Sequence, residues 1–162
     1  MNNQATETLI WDHVKTIGIC MLVTRDEDGV RARPMRCIPR PEQNAIWFFA
    51  DRQSHIDQQP CGDSDACLTF VDTRENVFVS LSGRISREPD TAIMHELWDD
   101  DTGTYFSEGP ADPRVILLKF EPESGAYWVA PSSPIVIAIK FLEAKIMGER
   151  PNLGVSGRAR LR

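Results

Sequence analysis

With 162 residues, 41% of them apolar, the chain has the size of a single domain and enough apolar material to fold around a core. A formal net charge of −6 argues against general nucleic-acid binding, which relies on Lys and Arg meeting phosphates. No apolar run approaches the ~18 residues that span a bilayer. The start, Met1-Asn2-Asn3-Gln4-Ala5-Thr6-Glu7, has neither the basic residues nor the apolar stretch of a secretory leader, so a cytoplasmic protein without membrane contact is expected.

Thr6 to Lys15 reads as a helix capped by Thr6, with Leu9, Trp11 and Val14 towards one side. Ile17 to Thr24 is apolar and rich in β-branched residues, the pattern of a strand buried on both faces. Arg25-Asp26-Glu27-Asp28-Gly29 predicts a hairpin turn with Asp-Gly at its tip. Val30 to Ile38 is the partner strand, and Pro34 assigns it to an edge or a bulge. A loop over 39–44 leads into a third strand, Ala45 to Ala50. Ser54 reads as the N-cap of a short helix ending near Pro60-Cys61-Gly62.

Ala66 to Val71 and Val77 to Arg87 are further strands. In the second, Val77, Val79, Leu81 and Ile85 share one face, while Ser80, Ser82, Arg84 and Ser86 share the other. Glu88-Pro89-Asp90 opens a helix with the stripe Ile93, Met94, Leu97 and Trp98. Asp99 to Asp112 is acidic and rich in Gly and Pro, the composition of a loop, with Tyr105-Phe106 as an aromatic anchor. Val115 to Phe120, Ala126 to Ala130 and Ile135 to Leu142 are expected as closing strands. Residues 1–148 form one domain, and 149–162 have no periodicity and read as a disordered tail with solvated arginines. Six to eight short antiparallel strands with helices packed outside predict a mainly β protein, a small barrel.

The four cysteines, Cys20, Cys37, Cys61 and Cys67, contain no Cys-x-x-Cys pair, and the three histidines are scattered. Buried reduced thiols are therefore expected, and no metal site. Three adjacent carboxylates, Asp99-Asp100-Asp101, diverge in direction and read as a solvated loop rather than a cation site. Neither Gly-x-Ser-x-Gly nor a phosphate-binding Walker loop is present, and catalytic residues cannot be assigned.

Three groups stand out. Arg33 follows Arg31 and precedes Met35 on one face of a strand; its donor fork demands an anion or a carboxylate, and spacing alone favours a surface ion pair. Trp47-Phe48-Phe49 cannot all share a face, so at least one enters the core. Ser54 and His55 stand where a helix begins, a natural place for a phosphate.

The triplet Arg33-Pro34-Met35, the strand Trp47-Phe48-Phe49 and the Ser54-His55 step, spread over a stretch from about Leu9 to Gly148, resemble the pyridoxamine 5'-phosphate oxidase family of split barrels, in its general stress protein branch. That resemblance implies a flavin mononucleotide (FMN) cofactor held at the interface of a homodimer. It implies that Arg33, Pro34 and Met35 line the isoalloxazine, that the Phe48 and Phe49 backbone meets the pyrimidine edge, and that Ser54 and His55 hold phosphate. Trp128 resembles the late tryptophan that the family contributes from the second subunit, with Ser80 reaching the same pocket.

Two departures follow. Ile56 stands where relatives usually carry a phosphate-holding lysine, and the C-terminal Arg-Leu-His-x-Arg substrate motif of the oxidases is absent. The expectation is an FMN-dependent oxidoreductase of unknown substrate and electron donor. The alternative is a non-enzymatic, stress-related protein holding flavin or another small ligand with weakened affinity, or none.

Overall fold

The computed structural model describes residues 3–26, 29–52, 64–131, 134–148 and 154–161. Helix α1 (Asn3–Ile17) is followed by strands β1 (Ile19–Asp26), β2 (Gly29–Arg36), β3 (Ile38–Arg40), β4 (Ala45–Asp51), β5 (Ser64–Asp72) and β6 (Val77–Glu88). Helices α2 (Thr91–Leu97) and α3 (Asp100–Tyr105), strand β7 (Val115–Val129), helix α4 (Pro134–Met147) and strand β8 (Val155–Arg160) complete it. The eight strands form one antiparallel sheet of order β2-β1-β5-β6-β7-β4-β3, with β8 added beside β7. Mainly antiparallel strands with flanking helices are the split-barrel architecture expected from the sequence.

Alternation decides which face each strand buries. On β6, Val77, Val79, Leu81 and Ile85 are buried while Phe78, Ser80 and Ser82 are not, as the period-two reading predicts. These inward residues join Leu22, Phe70, Phe120 and Tyr127 in a core that Ile10, Trp11 and Val14 of α1 cover. A register shift between Ser82 and Gly83 brings the β7 backbone so close that any Cβ on Gly83 would collide with the Glu121 carbonyl. That approach is why glycine stands there.

β4 is buried on both faces. Ile46, Phe48 and Ala50 enter the main core, while Trp47 and Phe49 face a second cluster with Met94 and Leu97 of α2. Three consecutive aromatics are accommodated because each side of this strand has something to pack against.

Five expectations are corrected. Thr6 does not cap α1; the helix starts at Asn3 and Thr6 is buried within it. β1 is buried on one face only, since Cys20 and Leu22 point inward while Ile19 and Met21 are exposed. The two strands expected at Val115 to Phe120 and Ala126 to Ala130 are one strand, β7, because its ladder with β6 runs through the bulge. Ile135 to Leu142 is not a strand but part of α4: an apolar run has no intrinsic period, and here it continues into the helix formers of residues 142–147. The tail is not without structure: Val155–Arg160 pairs with β7, and Leu161 is buried in the main core. Pro34 does lie on an edge strand, since β2 ends the strand order.

Candidate functional site

β2 and β3 occupy opposite ends of the strand order, yet β2, β3 and β4 line one cleft of about 510 Å³. The cleft therefore marks the seam where the two ends of the sheet approach. Arg33, Pro34, Met35 and Arg36 form one wall and Ile38, Phe49, Ala50 and Asp51 another. Thr102, Tyr105 and Phe106, from α3 and its C-terminal end, lie over them.

The side chains are held from behind. Arg33 Nη1 donates to the Thr24 hydroxyl across β1 at 3.0 Å, and Thr24 is itself buried. Phe49 meets Trp98 edge-to-face at 5.2 Å between centroids, which fixes its ring between cleft and second cluster. Behind β2, Cys37 donates to Cys20 at 3.4 Å. That contact, then burial, pushes the Cys20 thiol well above its usual range, so the Cys20 sulfur acts as a packing group.

The covering helix is tied to the strand wall by charge. Arg36 makes a two-pronged pair with Asp99, at 3.2 and 2.7 Å, and reaches Asp101 at 3.3 Å. Asp99 also accepts the Thr102 backbone N–H at 2.8 Å and its hydroxyl at 2.7 Å, capping α3. Arg36 first, and the Thr102 donors with it, hold the Asp99 carboxyl down at about 2, from an ordinary 3.8. At the far end of β4 the Arg52 N–H donates to the Arg114 carbonyl at 2.7 Å. Arg114 in turn clasps Asp112 with two side-chain bonds at 3.1 and 2.7 Å and holds that carboxyl below its usual range.

Of the residues expected to bind a cofactor, Arg33, Pro34, Met35 and Phe49 meet in this cleft. Phe48 does not line it, because alternation turns its ring into the main core. Ser54 and His55, with Ile56, lie outside the described residues. Ser80 and Trp128 are together, but in a second hollow of about 700 Å³ on the outward side of the sheet, with Ser82, Ser124, Arg158 and Arg160. The two hollows share no lining residue within one chain.

The loop expected over Asp99 to Asp112 is corrected, since Asp100–Tyr105 is α3, with Tyr105-Phe106, the expected aromatic anchor, at its C-terminal end. The clamp of Arg36, Asp99 and Thr102 went unread in the sequence. Their signal was present: aspartate followed by two more acidic residues and a threonine three positions on is a helix start.

A split barrel with an arginine- and aromatic-lined cleft at its seam is the class these features define. The chain belongs to the family described as pyridoxamine 5'-phosphate oxidase like, whose model matches residues 5–152. It resembles a candidate general stress protein 26 from Jannaschia sp., with 24% identity over 98% of this chain and 99% of that one, and a TM-score of 0.75. The general stress FMN/FAD binding protein of Xanthomonas citri is 25% identical over 82% of this chain and 93% of its own, with a TM-score of 0.70. A general stress family protein from Xanthomonas campestris is 24% identical over 82% and 92%, with a TM-score of 0.72. No protein of curated function matches the chain significantly.

Proposed function

We propose that this chain is an FMN-binding split-barrel protein that works as a homodimer and acts as a flavin-dependent oxidoreductase on a small-molecule substrate. The observation that carries the reading is the convergence of Arg33, Pro34, Met35 and Phe49 on one cleft at the barrel seam. The donor set suits a flavin: apolar and aromatic walls for a flat ring, and a guanidinium pinned by Thr24 where negative charge on the ring needs a partner.

A bound flavin supplies hydride transfer, and the protein supplies position and electrostatics. Met35 and Phe49 would give the ring apolar contact, the Arg33 guanidinium would bring its positive charge to it, and Tyr105 and Phe106 would limit water from the α3 side. Ser80 and Trp128 would come from the second subunit, since they line a different hollow from the cleft of their own chain. Ser54 and His55 remain the sequence's candidates for the phosphate, and the Xanthomonas citri relative, described as FMN/FAD binding, supports the choice of ligand.

One observation favours a second reading, a flavin-holding protein without turnover. Among the described residues, the cleft offers one carboxylate, Asp51, and one phenol, Tyr105, and no nucleophile paired with a base.

The test is an absorbance spectrum of the purified protein followed by titration with FMN and riboflavin, then anaerobic mixing with reduced nicotinamide. The expected result is a flavin spectrum or micromolar FMN binding that Arg33→Ala weakens about tenfold or more, the worth of a charge-assisted contact. Binding with no reduction of the flavin would select the second reading. No binding of either flavin would overturn both.

A further inference from the structure

Cys37 is the one residue between β2 and β3, and those strands lie at opposite ends of the strand order. The chain therefore crosses the seam of the barrel at this residue. Its neighbours on either side, Arg36 and Ile38, line the cleft. The Cys37 backbone N–H donates to the Gly18 carbonyl at 2.9 Å, which carries the β1–β2 ladder one step past the pair of Ile19 and Arg36. Cys20, paired with Met35, stands two places along from Gly18 and so shares its face. The two cysteines thus meet diagonally across the ladder, both turned into the main core.

Their sulfurs are 3.4 Å apart, and both are thiols. A disulfide bond is about 2 Å long, so closing it takes more than an ångström of approach. Diagonal neighbours stand further apart than directly paired ones, so the bond draws the Cys37 corner towards β1. Cys67, the third cysteine among the described residues, points the other way. Ala66 and Leu68 on either side of it are in the core, while its sulfur lies 3.6 Å from the Ser80 hydroxyl. Packing alone asks only for small apolar groups, and places no demand for two sulfurs in contact at the corner of a cleft.

We propose that Cys20 and Cys37 form a redox switch: a hydroperoxide closes them into a reversible disulfide that ties the seam corner to β1 and so stiffens the cleft wall. Cys37 is the less deeply buried of the two, at 6% exposure against 2%. As a thiolate it attacks one oxygen of hydrogen peroxide and the O–O bond breaks. Cys37 becomes a sulfenic acid, and the other oxygen leaves as water with the proton that Cys37 gave up. The Cys20 sulfur then attacks the Cys37 sulfur, the S–O bond breaks, and the hydroxide leaves as a second water with the Cys20 proton. Two thiols have lost two electrons and two protons to one peroxide. Excess thiol reverses the bond by exchange. The Cys37 contact and burial push the Cys20 thiol up, which slows the second step. The switch therefore answers to sustained oxidation rather than to a brief pulse.

The test does not depend on flavin binding. The full-length protein, folded and without denaturant, is treated with hydrogen peroxide, its remaining thiols are blocked, and its peptides are mapped by mass spectrometry. Amide hydrogen exchange is followed on the oxidised and the untreated protein. The expected result is a Cys20–Cys37 cross-link, two hydrogens lighter than the two thiol peptides together and removed by dithiothreitol. Exchange over residues 35–38 should be slower in the oxidised protein. Cys20→Ala should abolish both changes; should that variant lose its circular dichroism signature, Cys37→Ala makes the same comparison from the other side. Unchanged thiols, sulfinic or sulfonic acid at either position, or a bridge to Cys67 instead would overturn the inference. A Cys20–Cys37 bridge that leaves exchange over residues 35–38 unchanged would overturn it too, since the bond would then have no hold on the cleft wall.

Discussion

Arg36 joins the strand wall of the cleft to the helix that covers it. Both it and Asp99 are more than a third exposed, so water screens the pair and it contributes only about 0.2–1 kcal/mol to folding. Its larger effect is positional, because Asp99 is also the cap of α3. Arg36→Ala is expected to lower global stability by less than about 1 kcal/mol, yet weaken flavin binding several-fold by freeing the Tyr105 side of the cleft. Parallel urea unfolding and flavin titration would check this; equal losses in both, or in neither, would refute the positional role. The pH dependence follows from the same pair. The folded Asp99 carboxyl titrates near 2 and the free one near 3.8, so the contribution is complete above pH 3.8 and disappears as pH falls through about 2. Cleft affinity should not vary through this group at neutral pH. At this scale the sequence was legible where neighbours in sequence are neighbours in space, as for Arg33 to Met35 on one strand. It was not legible for Arg36 and Asp99, which lie 63 residues apart and are joined only by the fold.

Among elements, those with a clear period were readable and those without were not. β6 announces itself by alternation. α4 does not: its first half is β-branched, and its exposed face carries Ile139, Leu142 and Ile146 at helical spacing, an apolar stripe that a strand reading absorbs equally well. The decisive signal was Pro134, a proline at the first helical position. β8 escaped for the opposite reason. Its sequence, Val155-Ser156-Gly157-Arg158-Ala159-Arg160, is nearly all small or charged, because only Gly157, Ala159 and then Leu161 turn towards the protein. Leu161 tests the element. It is 2% exposed and packs where a Cβ on Gly125 would meet it together with Ile10. Leu161→Ala should destabilise the chain by about 2–5 kcal/mol in urea unfolding, the cost of a core cavity. A change within about 0.5 kcal/mol would mean that the tail is not part of the folded unit.

At the scale of the molecule, the inner faces of the sheet are satisfied and the outer face is not. Strand pairing lines up Val71, Phe78 and Trp128 across β5, β6 and β7, and each is 40% exposed or more; Met21 and Ile19 on β1 extend the same side. Single exposed apolar residues need no explanation, but a contiguous row beside the Ser80 hollow marks a surface made to be covered. In the proposed dimer a second copy would cover it, and the same two-fold contact would carry Ser80 and Trp128 to the partner's cleft. Sedimentation velocity should therefore show a particle of about twice 18.3 kDa. Phe78→Glu places a charge in the middle of the row, at a position that lines neither hollow and pairs with Trp128 across β7. It is expected to yield monomers and to weaken flavin binding about tenfold or more, since each site would lose its second half. Leu142→Glu adds the same charge to the stripe on α4, and the dimer should survive it. If Leu142→Glu dissociates the protein and Phe78→Glu does not, the interface lies on α4. A wild type that sediments as a monomer yet binds flavin at full affinity would show that one chain completes the site alone, and Ser80 and Trp128 would then have no place in it.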